Sequence, residues 1–135
     1  MKWLLDTNII SYLLRGDAAV RTGFKAARQV TGSVFILSPV VDYEIRRYLL
    51  LKGAQRNLAQ YETLVASWMA PLFDNAHWQQ SAMLWAERHR NGNAIADADL
   101  LIAVTALIQD AVLVTNNTRH FSDLGLKLED WSQSC

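Results

Sequence analysis

The sequence predicts an α/β fold with a central parallel sheet of four to five strands and helices on both faces. Short apolar runs of strand length alternate along the chain with longer stretches of helical length. Strands that alternate with helices in this way are typical of a parallel sheet that is covered on both sides. The chain has 135 residues and contains neither an internal repeat nor a dividing linker, so we expect one domain over residues 1–135.

The individual elements follow from composition and from capping residues. Strands are expected where apolar runs are short and rich in β-branched or aromatic residues, namely at Lys2–Leu5, Val34–Leu37, Val112–Thr115 and near Leu126–Leu128. Helix ends are expected at capping residues and glycines. The predicted helices run from Thr7 or Asn8 to near Gly16, from Ala18 to about Gln29, from Pro39 (capped by Ser38) to about Lys52, from about Ala54 to Met69, from about Asn75 to Arg90, and from Asp97 to Asp110.

Composition excludes several classes of protein. Hydrophobic residues make up 51% of the chain and charged residues 19%, a balance that argues against disorder. The longest uncharged apolar run, Leu100–Ile108, is far shorter than the ~20 residues of a membrane span. Asp6 follows the start too closely for a signal peptide, so we expect a soluble, cytoplasmic protein. The one cysteine, Cys135, excludes an internal disulfide framework and a multi-thiolate zinc site.

Four side chains with oxygen atoms are expected at one edge of the sheet. Asp6 follows the first strand and Glu44 lies on the helix after the second, whereas Asp99 begins the helix before the third strand and Asn117 follows that strand. The carboxyl ends of parallel strands share one edge, where ligands bind. Two carboxylates 4 Å apart repel by ~4 kcal/mol at an effective dielectric of 20, so a cation is needed. Oxygen donors favour Mg²⁺ or Mn²⁺, which indicates phosphodiester hydrolysis by a metal-activated water.

Two of these acidic residues also have a purely structural interpretation. Asp6 could cap the first helix, although Thr7 and Asn8 can both take that role and leave Asp6 free. Glu44 interrupts an apolar stripe, and its carboxylate could reach water or pair with Arg47.

Asp99, its neighbour Asp97 and Asn117 also have structural interpretations. Asp97 is well placed as a helix N-cap, and the negative charge of Asp99 suits the first turn of a helix. Ala103 and Ala106 share a helix face with Asp99 and allow close packing on the sheet, which would aim Asp99 along the packed face. Asn117 lies in the turn "TNNTR", where asparagine is common for conformational reasons.

These residues belong to a larger pattern that resembles the PIN-domain ribonucleases of the VapC toxin type. The segments "LLDTN", "SPVVDYEIRR", "IADADLLIAVTAL", "VLVTNNTRHF" and "LGLKLEDW" occur in the order of that family and cover nearly the whole chain. The resemblance implies a three-layer PIN-like domain with Asp6, Glu44 and Asp99 at the acidic metal positions. It places Asn117 at a fourth, often acidic, position, and the neighbouring polar residues are Thr7, Asn8, Thr115 and the spare carboxylate Asp97.

The same resemblance implies partners. Proteins of this type are homodimers that cut structured RNA, commonly transfer RNA or ribosomal RNA. A cognate VapB-type antitoxin inhibits them by blocking the acidic site.

Basic and aromatic residues suggest where such partners would bind. The 13 basic and 13 acidic residues balance, so net charge does not indicate a nucleic-acid partner, and local patches must be considered. A stripe on the second helix could contact RNA or simply be solvated, and it consists of Arg21, Lys25 and Arg28. Further cations are expected in loops beside the acidic edge, at Arg15, Arg119 and His120.

Trp78, Ala82 and Trp85 form a helical stripe that predicts core or a dimer interface. Trp68 and Met69 could extend that apolar surface, where an antitoxin could dock.

Phosphotransfer proteins of two kinds and a binding module without catalysis are the alternatives to this function. A haloacid-dehalogenase-like phosphatase would carry a second Asp two residues after Asp6, but that residue is Asn8. A receiver domain would need an Asp after a middle strand and a Lys after the last strand, and neither is found. A binding module that holds RNA or protein without cleaving it is the remaining alternative, because Asn117 makes the edge less acidic.

Overall fold

The computed structural model describes residues 1–132, so Cys135 lies outside the described residues. Within that range the strands are Lys2–Leu5 (β1), Val34–Ile36 (β2), Val112–Val114 (β3) and Lys127–Glu129 (β4). The helices are Thr7–Leu14 (α1), Ala18–Gln29 (α2), Pro39–Leu51 (α3), Gln55–Val65 (α4), Asn75–Arg90 (α5) and Asp97–Gln109 (α6), and a 3₁₀ turn spans Thr118–Phe121. None of these helices is both long and apolar enough to cross a bilayer.

The four strands form one parallel sheet in the order β2-β1-β3-β4, which confirms the predicted fold class. All of β3 and most of β1 are buried because helices cover the sheet. A single residue extends the sheet beyond β2: the Met69 N–H donates to the Phe35 carbonyl over 2.8 Å, and the Leu37 N–H donates to the Met69 carbonyl over 2.7 Å. Helix α4 therefore ends at Val65, four residues before the predicted end, because Met69 pairs with the sheet instead.

Two of the predicted helix caps are wrong and one is confirmed. Asp6, rather than Thr7 or Asn8, caps α1, because its carboxylate accepts the Thr7 N–H and Thr7 already has helical conformation. Ala96 occupies the N-cap position of α6 without a side-chain hydrogen bond, and Asp97 is the first helical residue. Ser38 caps α3 as predicted, with its hydroxyl oxygen accepting from the Val40 N–H over 3.1 Å.

A polar contact joins α3 to α4. The spacing of four residues predicts an ion pair between Asp42 and Arg46, and their side chains do lie 2.9 Å apart. The hydroxyl of the buried Tyr61 also donates to Asp42 over 2.7 Å, and Arg46 reaches Glu62 on α4. This network holds α4 against the helix that carries Glu44.

The tryptophans predicted to share one apolar surface lie on two different surfaces. Trp78 is 50% exposed and Trp85 is 43% exposed, so the interpretation of their stripe as core is wrong. Trp68 stacks on Phe35 at a centroid distance of 5.5 Å and packs beside Phe24. Trp68 therefore does not extend the α5 surface, because its neighbours are residues of α2 and β2.

We expect Gly23→Ala to lower the free energy of unfolding. Glycine to alanine within a helix normally stabilises by about 1 kcal/mol. A Cβ at Gly23 would lie only 2.5 Å from the Trp131 ring, and overpacking of this kind costs about 1–3 kcal/mol, so the clash should prevail. Urea unfolding measures the change, with Thr22→Ala on the exposed side of the same helix as control. Equal stability of the two variants would contradict the expected clash.

Candidate active site

The candidate site lies where the strand order reverses. β1 and β3 are neighbours in the sheet although β2 comes between them in the chain, and such a reversal opens a crevice at the carboxyl ends of the strands. Asp6 follows β1 and Thr115 follows β3. The Asp6 N–H donates to the Val114 carbonyl over 2.9 Å, and the Thr115 hydroxyl donates to Asp6 Oδ2 over 2.8 Å.

Asp6 is the buried acid of this crevice, with 6% of its surface exposed. Its second oxygen accepts the Thr7 N–H over 2.7 Å. Burial raises the pKa of Asp6 above its ordinary value of 3.8, while the hydrogen bonds from Thr115 and Thr7 lower it; the charges of Asp99 and Glu44 raise it further. These three carboxyl groups are therefore near enough for the other two to act electrostatically on Asp6.

Glu44 reaches this edge from α3. The Thr7 hydroxyl donates to Glu44 Oε1 over 2.7 Å, so Thr7 contacts both Asp6 and Glu44. Arg47 Nη2 lies 3.9 Å from Glu44 Oε2. The pairing with Arg47 that sequence spacing allows is thus present, and it coexists with a position beside Asp6.

Asp99 occupies the first turn of α6, with Ala103 and Ala106 fully buried on the same helix, as predicted. Its Oδ2 lies 3.5 Å from Nδ1 of His120, which belongs to the 3₁₀ turn after β3. The sequence suggested His120 as a cation near this edge or, with less support, as a general base. The structure makes it the side-chain partner of Asp99.

The asparagines after β3 have different surroundings. Asn117 is exposed, and its backbone N–H donates to the Thr115 hydroxyl over 3.0 Å, whereas no hydrogen bond of its side chain occurs within residues 1–132. Asn116 accepts from the Asn8 side chain over 3.2 Å and donates to the Tyr12 hydroxyl over 3.3 Å. Sequence reasoning missed Asn116, although "TNN" offered both asparagines.

Asp97 is exposed and lines a hollow with Trp78 and Trp85 on the α5 side of the molecule. Its predicted role beside the site remains a prediction.

The predicted cations lie in separate places. Arg15 lines a groove of about 480 Å³ between α1, α3 and α4, here called the α1–α3 groove. Its walls are Thr7, Asn8, Ser11, Tyr12, Leu14, Arg15, Glu44, Ile45, Arg47, Tyr48, Leu49 and Asn57. Arg21, Lys25, Arg28 and Arg119 are exposed outside it. Arg28 lies over the Phe24 ring at 5.5 Å and lines a different cavity.

The donor set at the edge has the chemistry of a site for a hard divalent cation, since its donors are carboxylate and hydroxyl oxygens. Within residues 1–132, however, no three Asp, Glu, His or Cys side chains are already gathered around a point that could hold an ion. Glu44 instead contacts Thr7 and Arg47, and Asp99 contacts His120. An ion held by all three carboxylates would have to compete with these contacts.

Comparison with known proteins identifies the family. A family model for the PIN domain matches residues 3–127. The tRNA(fMet)-specific endonuclease VapC of Shigella flexneri is 31% identical, with 98% of this chain and 99% of that protein covered. Ribonuclease VapC19 of Mycobacterium tuberculosis is 32% identical, with 87% of this chain and 90% of that protein covered.

Comparison with solved structures leads to the same family. The chain is similar to one in the DNA-bound VapBC complex from Salmonella typhimurium, with a TM-score of 0.78, 27% identity, and coverage of 97% of this chain and 98% of that one. The VapBC2 complex from Rickettsia felis, bound to a DNA fragment from its promoter, has a chain of the same fold, with a TM-score of 0.86, 24% identity, and coverage of 97% and 99%. The chain therefore belongs to the PIN domain family, as a member of the VapC type, which confirms the resemblance drawn from its motifs.

We expect Asp6→Asn to raise stability at neutral pH when a chelator removes divalent ions. Because the pKa of Asp6 is raised on folding, the folded state binds more protons than the unfolded chain between pH 3.8, the ordinary pKa, and the raised pKa of the folded state. The free energy of unfolding should therefore fall as the pH rises through this range. Asn should abolish this loss while still capping α1. Thermal unfolding measures the effect, and the variant should exceed the wild type in melting temperature by more at pH 7.5 than at pH 4.

Glu87→Gln is the control because the Glu87 carboxylate is exposed on α5 and makes no ion pair within residues 1–132. A wild type that is more stable than Asp6→Asn at neutral pH, with chelator present, would contradict the raised pKa.

Proposed function

We propose that this chain is a metal-dependent endoribonuclease toxin that hydrolyses phosphodiester bonds in structured RNA and is neutralised by a VapB-type antitoxin. The observation that carries the proposal is the buried Asp6 at the crevice, with Glu44 and Asp99 near enough to raise its pKa. Such a concentration of negative charge calls for a divalent cation, and the names of the relatives in Shigella and Mycobacterium support RNA as the substrate.

In this proposal Asp6, Glu44 and Asp99 hold Mg²⁺, which Mn²⁺ can replace. When bound, the ion offsets the charge of carboxylates and phosphate and lowers the pKa of a water molecule. Thr115 and Thr7 fix the two oxygens of Asp6, and Thr7 also orients Glu44.

The remaining predicted site residues have supporting roles. Asn117 follows Thr115 at the fourth position and is positioned by its backbone hydrogen bond. Asn8 braces Asn116 in the same turn. Asp97, in the same first turn of α6 as Asp99, is the spare carboxylate of this proposal, and it would have to turn away from the hollow beside Trp78 and Trp85 to assist the site.

The exposed side chains support RNA and a second copy of this chain as partners. Exposed cations contact the phosphates of the substrate in this proposal, and they are Arg15, Arg21, Lys25, Arg28 and Arg119. The half-exposed tryptophans of α5 form the interface of a homodimer. The similarity to VapBC complexes supports an antitoxin partner, and the cytoplasm is where such RNAs and the antitoxin would be met.

A binding module without catalysis is the second candidate. It is favoured by Asn117 at the fourth position and by carboxylates that are not gathered around one point within residues 1–132. Activity and ion binding separate the two candidates.

We expect the wild type to cleave total RNA with Mg²⁺ or Mn²⁺ and Asp6→Asn to lose at least about a hundredfold in rate, because electrostatic groups that stabilise a transition state contribute about 10²–10³. Fragments are measured by denaturing gel electrophoresis and 5′-end sequencing. Glu87→Gln, which removes an exposed carboxylate on α5, should cleave at the wild-type rate. Cleavage that survives Asp6→Asn would remove the mechanism, and no cleavage by the wild type would favour the binding module.

Mg²⁺ should raise the melting temperature of the wild type, since an ion that binds only the folded state stabilises it by about 2.7 kcal/mol at 100 times its Kd. The shift should be smaller in Asp99→Asn, which lacks one proposed ligand. Differential scanning calorimetry with and without Mg²⁺ gives both values, and Glu87→Gln again serves as control. Equal shifts in wild type and Asp99→Asn would show that Asp99 is not a ligand.

A further inference from the structure

We propose that the α1–α3 groove binds the nucleotide next to the scissile phosphate, in a single-stranded segment of the RNA. The identity of this ligand rests on the proposed ribonuclease function. The groove begins at Thr7 and Glu44, which are hydrogen-bonded to each other over 2.7 Å, and Thr7 is also bonded to Asp6. A strand lying in the groove therefore leads directly to the carboxylate edge.

The charges in the groove favour an anionic chain. Arg15 and Arg47 line it opposite a single carboxylate, that of Glu44. The Arg47 side chain is 58% exposed, and its 3.9 Å separation from Glu44 is long for an ion pair. The Arg47 guanidinium also lies over the Tyr43 ring, 4.9 Å from its centre. Both contacts are weak at an exposed position, so the guanidinium can turn to a phosphate oxygen and give the RNA backbone an attractive surface beside an edge that otherwise repels it.

The aromatic and apolar walls favour a base. Tyr48 is 56% exposed in the groove, although large aromatic side chains are usually more buried. Tyr12 is steadied by Asn116, which donates to its hydroxyl, and by the Arg15 guanidinium 4.9 Å from its ring centre. The buried residues Ile45 and Leu49 line the same groove. An exposed ring among apolar side chains is a surface on which an unstacked base can lie, and any base fits because each has a π-face.

The size of the groove sets the class of ligand. A volume of about 480 Å³ is within the range of sites for single small molecules. It therefore suits one nucleotide that has left its helix, rather than a duplex, whose bases are stacked within the helix and hidden from the protein. An apolar peptide is less suited, because it would cover Arg15 and Arg47 without supplying a negative charge.

The test is binding of a short, fluorescently labelled single-stranded RNA of mixed sequence, measured by anisotropy with EDTA present, so that cleavage plays no part. Tyr48→Ala should raise the Kd about fivefold or more, because a base stacked on an aromatic ring contributes appreciably to binding. Arg47→Gln should reduce the slope of log K against log salt by about 0.7, the value for one phosphate contact on a single strand.

Matched controls come from exposed residues just outside the groove. Leu51→Ala removes an exposed apolar side chain from the helix that carries Tyr48, and Arg56→Gln removes an exposed guanidinium from α4. Both should bind RNA as the wild type does. Melting temperatures verify that all four variants are folded.

Photo-crosslinking of RNA that contains 4-thiouridine supplies a second measurement on the unaltered protein. Crosslinks at Tyr12 or Tyr48 are expected, and crosslinks confined to Arg21, Lys25 and Arg28 on α2 would overturn the proposal. The proposal would also be overturned if the wild type did not bind RNA, if the groove variants bound RNA like the wild type, or if the control variants lost as much affinity as the groove variants. Unaffected groove variants would leave the groove to a protein partner.

The outcomes for the groove and for the proposed function are distinguishable. Groove-dependent binding without any cleavage in Mg²⁺ supports the groove and counts against the ribonuclease. Cleavage that depends on Asp6 but not on Tyr48 or Arg47 supports the ribonuclease and counts against the groove.

Discussion

The carboxylate of Asp6 is the constraint around which this domain is organised. It lies buried between the ends of β1 and β3 and accepts one hydrogen bond from Thr115 and one from the first residue of α1. Burial of a carboxylate is costly unless its oxygens are hydrogen-bonded, and the two bonds offset part of that cost. The same side chain thus joins two strands, starts a helix and places a charge at the crevice.

The carboxylates of Glu44 and Asp99 lie near the buried Asp6 and repel its charge. Glu44 contacts Thr7 and Arg47, and Asp99 contacts His120, so each outer carboxylate has a polar or basic neighbour other than Asp6. The Arg47 charge reduces repulsion between the carboxylates without an ion, and within residues 1–132 the three groups are not gathered around one point. In the proposed reaction a divalent cation would compete for the same oxygens and would thereby release Arg47 to a substrate phosphate.

The scaffold separates this polar edge from two apolar surfaces. Trp78 and Trp85 are half exposed on α5, whereas Trp68 is stacked with Phe35 beside α2 and β2. Helix α6 can lie close to β3 because Ala103 and Ala106 are small and fully buried, and its first turn then brings Asp99 to the crevice. Packing in the core and placement of the site are therefore consequences of the same helix.

The sequence by itself determined the parallel α/β fold, the four strands and most helix boundaries, because these depend on periodicity and local capping, and its motif order made Asp6, Glu44 and Asp99 the site candidates. Only the tertiary structure decided which partners those side chains have. Thr115 lies 109 residues from Asp6 in the chain and meets it because β3 pairs with β1, a choice of strand order that no local pattern encodes. The same is true of His120 beside Asp99, of Asn116 on Tyr12, and of Trp68 against Phe35. Even the cap of α1 depended on such contacts, because the Thr7 hydroxyl could have capped the helix but bonds to Glu44 from another helix, which leaves the role to Asp6.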